Sequence, residues 1–333
     1  MTRVIDIHST FYPLEWLEYL EKRKRSPLVK KTGPTNYVGF IDGSPETHID
    51  QAGHYNAKAR IKDMDAGGID TQVFALSVPS VEMIGAREGI AWARRINDYF
   101  AELCQQYPRR FYFHCTLPYQ DPDAAAKELE RAYTKLGAKG IQMFSNINLK
   151  PIASPEFHPI YELAQKYDIP VFVHPTSPYT REMMDIHRIP ASLYGFTLDT
   201  STAVMGLIWQ GVVEKYPKLK IVHSHLGGIV PYLIGRTIGA WNSFHEEYGL
   251  KLNRSPVEYY KSNVWVDTIS YWEPAMQCCL DLMGPDHICL GTDYAHRIGN
   301  MQNAISWVEK FGLDKKNTAK ILGGNAAKLY KLD

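Results

Sequence analysis

Short apolar runs of strand-like composition alternate with amphipathic helical stretches along nearly the whole sequence. Several runs, such as TQVFAL at 71–76 and PVFVH at 170–174, are continuously apolar, as expected of parallel strands that helices cover on both faces. Eight such runs are present: Val4–Ser9, Thr71–Leu76, Phe111–Leu117, Gly140–Phe144, Val171–His174, Lys220–His225, Val264–Asp267 and Ile288–Asp293. The pattern predicts the α/β fold class, with eight strands closed into a (β/α)8 TIM barrel.

The spacing of the predicted elements indicates one domain, 1–333, because a barrel of this class accommodates the whole length. Predicted helices end at glycines before the second and fourth strands, at Gly67 and Gly137. The stretch from about 12 to 51 is too long for an ordinary strand-to-helix loop and has the pattern of a helix followed by a hairpin. We expect it to be an insertion after strand one that caps the barrel mouth.

The charge balance and the cysteines narrow the class of partner and the compartment. Lys+Arg total 37 against Asp+Glu 36, and no long basic run is present, so we expect no nucleic-acid partner. No stretch approaches 18 uninterrupted apolar residues, and the N-terminus lacks the pattern of a signal peptide. The five cysteines have no CxxC spacing, which favours reduced thiols. We expect a soluble, cytoplasmic protein that acts on a small molecule and does not bind membranes.

Four candidate residues stand at the ends of predicted strands, where a barrel of this kind carries its active site. They are His8 in DIHST, His174 in VFVHP, His225 in VHSHLGG and Asp293 in LGTDYAH. A single histidine at a strand end is usually a hydrogen-bonded structural residue, but three imidazoles and one carboxylate at one rim form a ligand set that zinc prefers. These four residues are therefore predicted to carry the chemistry.

Two further histidines lie close to these strand ends in the sequence. His223 precedes His225 by two residues and so shares its inward direction, which fits a supporting role beside the site and a core position equally well. His296 follows Asp293 by three residues and is a weaker candidate for the same pocket.

An ordered series of motifs resembles the amidohydrolase-related decarboxylases, which include α-amino-β-carboxymuconate-ε-semialdehyde decarboxylase. The motifs are VIDIHSTFYPLEW, ARIKDMDAGGID, YPRRFYFHCTLP, VFVHP, EKYPKLKIVHSHLGGIVPYLIGR and LGTDY. The resemblance implies a metal-dependent nonoxidative decarboxylase, a carboxy-lyase, acting on a small aromatic or unsaturated carboxylic acid. Relatives of that family also include lactonases and C–C hydrolases, so a metal-dependent hydrolase is the alternative.

Carried over position by position, the resemblance implies His8, His174 and Asp293 as metal ligands and His225 as the catalytic histidine. It also implies that Asp293 protonates the carbon that loses CO2. Arg236 falls where the decarboxylases place an arginine that holds a substrate carboxylate, in some members across a dimer interface. The implied cofactor is a divalent metal, zinc first and manganese second, and the implied assembly is a homodimer.

Two positions depart from the pattern of that family. The usual His-x-His of the first strand is His8-Ser9-Thr10, so a hydroxyl stands where an imidazole binds metal. A hydroxyl is a far poorer zinc ligand than imidazole, so we expect weaker binding, a different metal, or a metal-free member with altered chemistry. A second arginine of the semialdehyde decarboxylase is replaced near Gln51, which argues against the semialdehyde as substrate.

Overall fold

The computed structural model describes residues 3–250 and 252–332, and these form an α/β fold. The strands are β1 Ile5–Thr10, β2 Leu28–Lys31, β3 Tyr37–Ile41, β4 Ser44–Ile49, β5 Thr71–Ala75, β6 Phe111–Cys115, β7 Gly140–Phe144, β8 Asn146–Ile147, β9 Lys150–Pro151, β10 Val171–His174, β11 Ile221–His223 and β12 Val264–Val266. The helices are α1 Leu14–Lys22, α2 Ala57–Gly67, α3 Ala86–Gln106, α4 Pro122–Leu136, α5 His158–Tyr167, α6 Arg181–Ile186, α7 Gly195–Trp209, α8 Val212–Lys215, α9 Ser224–Gly227, α10 Val230–Phe244, α11 Pro256–Asn263, α12 Glu273–Met283, α13 Ala304–Glu309, α14 Lys315–Ala319 and α15 Asn325–Tyr330. Among these described helices, none has the length and apolar character needed to span a membrane.

The chain divides into two compact units. The first comprises Met1–Gln142 with Cys289–Asp333, and the second comprises Met143–Ile288. The chain passes from the first unit to the second within β7. The organisation as one domain, 1–333, stays a prediction.

The first unit contains the parallel strands β1, β5, β6 and the beginning of β7, hydrogen-bonded in that order. Every residue of β1 and β5 is buried, as their apolar runs predict. The helices α2 and α4 end in glycines with left-handed backbone, φ 70° at Gly68 and 77° at Gly137. Glycine adopts this conformation without a steric penalty, so both predicted helix ends are confirmed within one residue.

The stretch from about 12 to 51 contains α1 and a three-stranded antiparallel sheet, β2–β3–β4. The predicted helix and hairpin are confirmed as α1 and the pair β3–β4. Asp42 and Gly43 turn this hairpin with φ of 47° and 88°, as a two-residue Asp-Gly turn requires. The third strand, β2, was not predicted, because LVKK is short and half polar. The capping of a barrel mouth stays a prediction.

The second unit contains the end of β7 and the parallel strands β10, β11 and β12. Val171 pairs with Ile221, and Ile221 pairs with Val264. The Ser145 amide, directly after β7, donates a hydrogen bond to the His174 carbonyl at 2.8 Å. Seven of the eight predicted barrel strands are therefore present.

The eighth predicted strand, Ile288–Asp293, is extended but is not a regular strand, so that prediction was wrong in detail. The Ile7 amide donates to the Leu290 carbonyl at 3.0 Å, and the Asp293 amide donates to the His8 carbonyl at 2.9 Å. Asp293 itself has a left-handed backbone, φ 56°, which interrupts a regular ladder. The segment still runs beside β1 and brings its last residue to the end of that strand.

Candidate active site

His8 and Asp293 are brought together in the first unit, as the sequence predicts. Both are buried, and His8 Nε2 lies 3.6 Å from Asp293 Oδ1. Two donor atoms that each lie about 2.1 Å from one ion are roughly 3–3.5 Å apart at tetrahedral or octahedral angles. The pair therefore has nearly the spacing that two ligands of one divalent metal need.

The carboxylate of Asp6 fixes the backbone on both sides of this pair. It accepts hydrogen bonds from the His8 amide at 3.0 Å, from the Thr292 amide at 3.1 Å and from the Thr292 hydroxyl at 2.6 Å. Gln72 Nε2 donates a fourth at 2.8 Å. Burial raises the pKa of Asp6 to about 6, and these donors oppose that rise. One buried carboxylate thus sets the positions of the residues at and next to the two candidate ligands.

Arg60 of α2 is fully buried beneath the end of β1. Its guanidinium donates to the Gly53 carbonyl at 2.9 Å, to Gln72 Oε1 at 2.8 Å and to Ser9 Oγ at 3.2 Å. It also donates to the Thr10 carbonyl. Burial lowers the pKa of Arg60 to about 10, so the side chain stays charged at neutral pH. The hydrogen bonds fix the strand end that carries His8.

Thr10 and Gln51, the two departures from the family pattern, are linked by two histidines. His296 Nε2 lies 3.2 Å from the buried hydroxyl of Thr10. The ring of His54 lies 5.3 Å from the ring of His296 in an edge-to-face arrangement. His54 Nδ1 lies 3.2 Å from the Gln51 carbonyl. The sequence pattern indicates His296 only weakly and does not single out His54.

His174, the last residue of β10, is buried in the second unit. Its Nδ1 lies 2.8 Å from the Pro175 carbonyl. A carbonyl can only accept, so Nδ1 carries the proton and Nε2 keeps its lone pair. Metal-binding histidines typically have this arrangement, with the second ring nitrogen bonded to a backbone carbonyl. His174 therefore fits a ligand role.

His225 follows β11 in a turn with left-handed backbone at two successive residues, φ 54° at both His225 and Leu226. Asp267, directly after β12, holds this turn: its Oδ2 accepts from the His225 amide at 3.0 Å, and its Oδ1 accepts from the Leu226 amide at 2.9 Å. The His225 ring lies 6.1 Å from the ring of His174. The structure thus brings the two predicted histidines of this unit together.

His223 and Arg236 occupy quite different environments. His223 is fully buried between the Tyr260 hydroxyl at 3.0 Å and the Thr200 hydroxyl at 3.3 Å, and burial lowers its pKa to about 3. It is a neutral core residue of the second unit. Arg236 lies on α10 with an exposed side chain. No hydrogen bond or ion pair joins it to another described residue, so its substrate-binding role stays a prediction.

The sequence pattern assigns no positioning role to the polar groups that hold the candidate residues in place. Asp267 could have been found as the carboxylate at the end of the seventh predicted strand, and Asp6 stands two residues before His8. Arg60 and Gln72 carried no such signal, because each is a single polar residue in an ordinary helical or strand pattern.

The predicted ligands His8, His174 and Asp293 offer imidazole nitrogens and a carboxylate oxygen, which are donor types that suit a divalent metal.

Comparison with known proteins identifies the family. The amidohydrolase family model matches residues 5–332. A 2-amino-3-carboxymuconate-6-semialdehyde decarboxylase of Dictyostelium discoideum is 30% identical, with 99% of this chain and 92% of the relative covered. A gamma-resorcylate decarboxylase of Rhodococcus jostii is 32% identical, with 89% and 94% covered.

A solved structure supports the same assignment. The 5-carboxyvanillate decarboxylase of Novosphingobium aromaticivorans, complexed with manganese and 4-hydroxy-3-methoxy-5-nitrobenzoic acid, superposes with a TM-score of 0.86 at 27% identity. That comparison covers 99% of this chain and 96% of the other. The α/β barrel class and the decarboxylase activity predicted from the sequence are confirmed. The chain belongs to the amidohydrolase family, and it is a carboxy-lyase of that family.

Proposed function

We propose that this carboxy-lyase removes CO2 from a hydroxylated benzoic acid at a centre held by His8, His174 and Asp293. The observation that carries the proposal is the spacing of two donor atoms together with the protonation of the third. His8 Nε2 and Asp293 Oδ1 lie 3.6 Å apart, and the Pro175 carbonyl holds the proton of His174 on Nδ1. Relatives named for resorcylate and carboxyvanillate support a phenolic substrate. Gln51, in place of an arginine, supports a substrate without the second carboxylate of the carboxymuconate semialdehyde.

The bound divalent metal would supply Lewis-acid stabilisation of the substrate's carboxylate and hydroxyl oxygens. The sequence favours zinc, whereas the manganese in the carboxyvanillate decarboxylase supports manganese. The single hydroxyl of Thr10 in place of an imidazole also favours manganese, which accepts oxygen ligands more readily than zinc does. We therefore propose manganese as the first metal to test and zinc as the second.

The side chains of this protein are proposed to transfer the proton and to bind the substrate. The bond between the ring carbon and the carboxyl carbon breaks, CO2 leaves, and the ring carbon takes one proton. Asp293 is the proposed proton donor to that carbon, and His225 is the proposed residue that exchanges protons with the site, since an imidazole can both donate and accept a proton. Asp267 holds the backbone of His225 in a left-handed turn and so fixes the position from which the imidazole side chain extends. Arg236 is proposed to hold the substrate carboxylate.

Further proposals concern assembly, domain organisation and compartment. The exposed residues of α10 include Arg236 and the large side chains of Tyr232, Ile238 and Phe244, which supports a homodimer formed through this helix. We propose that 1–333 acts as one catalytic domain with 12–51 as the cap. The five cysteines are all free, which supports a cytoplasmic location.

The test uses gamma-resorcylate labelled with ¹³C in the carboxyl group, with 5-carboxyvanillate and the carboxymuconate semialdehyde as competing substrates. The manganese-loaded wild type is expected to release ¹³CO2 and, in D2O, to place one deuterium on the ring carbon. His8→Ala and Asp293→Asn should lower the rate at least about 100-fold. His48→Ala, an exposed histidine of the first unit, should leave it unchanged. Turnover of the semialdehyde alone would overturn the phenolic substrate.

A further inference from the structure

The first strand of the proposed metal centre lacks one imidazole, and a different imidazole reaches the same position. Thr10 stands at the second histidine of the His-x-His pattern. Its hydroxyl is buried, with the residue 3% exposed, and the ring of His296 contacts it through Nε2 at 3.2 Å. The Nε2 atom of His296, in the loop after Asp293, thus lies beside Thr10, the position at which the family pattern has a histidine.

The backbone and a second histidine hold His296 in this place. The His296 amide donates to the Asp293 carbonyl at 2.9 Å, and the Gly299 amide donates to the His296 carbonyl at 3.0 Å. His54 is fully buried and packs edge-to-face against the His296 ring at 5.3 Å. The Gln51 carbonyl accepts from His54 Nδ1, which fixes the orientation of the His54 ring. The ring of His296 is therefore supported from two sides.

The surroundings of His296 do not suggest a side chain that merely fills the core. The residue is half-buried and lines a polar cavity of about 260 Å³ with Gln51, Asn300 and Gln302. Its Nε2 also lies within hydrogen-bond distance, 3.2 Å, of the buried Thr10 hydroxyl. A histidine that only packed against His54 would not need that bond.

We propose that His296 is a positioning residue that orients the Thr10 hydroxyl toward the metal centre and so takes over part of the role of the missing strand-one imidazole. The inference rests on the proposed function, because it assumes the centre held by His8, His174 and Asp293. Groups that orient the immediate surroundings of a metal typically change its affinity about 10- to 100-fold when they are removed. Thr10 and His296 then act as one unit, and the effects of their removal on metal affinity are coupled.

The experiment is a double-mutant cycle on manganese affinity, read from the electron paramagnetic resonance signal of free Mn²⁺ during titration of the metal-free protein. His296→Phe keeps a ring against His54 but removes the nitrogen, and Thr10→Val keeps the shape but removes the hydroxyl. Each is expected to raise the Kd about 10-fold, and the double variant is expected to raise it about 10-fold as well. His48→Ala is the control and should leave the Kd unchanged. His296→Ala serves in the same cycle if the phenylalanine variant does not fold.

Three outcomes would overturn the inference: an unchanged Kd in His296→Phe, an unchanged Kd in Thr10→Val, or a double variant weakened by the product of the two single effects. His8→Ala separates this inference from the proposed function. If His8→Ala abolishes binding while His296→Phe does not change it, the metal centre stands and only the role of His296 falls. If the wild type binds no Mn²⁺ or Zn²⁺, both fall together.

Discussion

Arg60 Nη1 donates a hydrogen bond to Gln72 Oε1 at 2.8 Å, and the amide of the same Gln72 donates to Asp6 at 2.8 Å. A buried cation and a buried carboxylate are therefore joined through one amide. Asp6 bonds the His8 amide, and Arg60 bonds the Thr10 carbonyl. The relay fixes both ends of the segment that carries the first candidate ligand.

Removal of the Arg60 side chain is predicted to lower the stability of the fold. Arg60→Ala leaves four acceptors without their donor in a buried region, so the free energy of unfolding should fall by roughly 3–5 kcal/mol. The measurement is urea unfolding of the metal-free protein. Arg95→Ala is the control, because Arg95 is 58% exposed and its pair with Glu15 should contribute at most about 1 kcal/mol. Equal losses in the two variants would contradict the role of the relay.

The carboxylate of Asp267 is predicted to support turnover through the turn at His225. Asp267→Asn keeps the shape but leaves one acceptor oxygen for the amides of His225, Leu226 and Ile269, so the left-handed turn should loosen. We expect kcat to fall roughly 10- to 100-fold with a smaller change in KM, because the substrate carboxylate is held elsewhere. Asp281→Asn on α12, an exposed residue bonded to Gln277, is the matched control. A change in KM alone would place Asp267 in substrate binding instead.

Glu82 is predicted to make stability depend on pH. It is buried in the turn after β5, and burial raises its pKa from 4.5 to about 7. The unfolded chain loses this proton at lower pH than the folded chain does, so the free energy of unfolding falls as pH rises from about 4.5 to 7. The loss is on the order of 3 kcal/mol, since one pKa unit corresponds to about 1.4 kcal/mol.

The amide of Glu82→Gln cannot ionise, so this variant should not lose the unfolding free energy that ionisation of Glu82 removes from the wild type. Between pH 4.5 and pH 8, the wild type should therefore lose about 3 kcal/mol more unfolding free energy than the variant does. Urea unfolding at the two pH values measures it. Glu88→Gln, an exposed residue of α3, should show the same difference at both. A pH-independent difference for Glu82→Gln would show that its carboxyl titrates normally.

The strand ends that carry the candidate site could be predicted from the sequence, because local patterns determine them. The continuously apolar run before His174 indicates a buried strand, and the residue that ends it necessarily lies at the rim. The same reasoning found His8. It overestimated the regularity of Ile288–Asp293, because the left-handed backbone of Asp293 leaves no signature in composition.

The groups that position the candidate residues could not be predicted, because their roles depend on pairs far apart in the sequence. Arg60 lies 50 residues from Thr10, and nothing in the pattern of α2 distinguishes a buried arginine from an exposed one. The same holds for the contacts that connect Gln51 to Thr10 through His54 and His296. In the last of these contacts, His296 and Thr10 are 286 residues apart in the sequence. Local periodicity predicts which face of an element is buried, but it does not predict which buried polar groups find each other.

Arg236 is predicted to serve the active site of a second copy of the chain. Its side chain is exposed on α10, one turn after the exposed Tyr232. If it acts across a dimer interface, His8→Ala and Arg236→Ala are each inactive alone, but a mixed dimer has one site with an intact His8 and an intact arginine from the partner. Random exchange of subunits should then restore about one quarter of the wild-type rate, since half of the dimers are mixed and half of their sites are complete. The measurement is activity after unfolding and refolding the two variants together, with light scattering to confirm a mass above the 38.0 kDa of one chain. No recovery in a dimeric mixture would mean that Arg236 acts within its own chain, and a monomeric mass would remove the interface altogether.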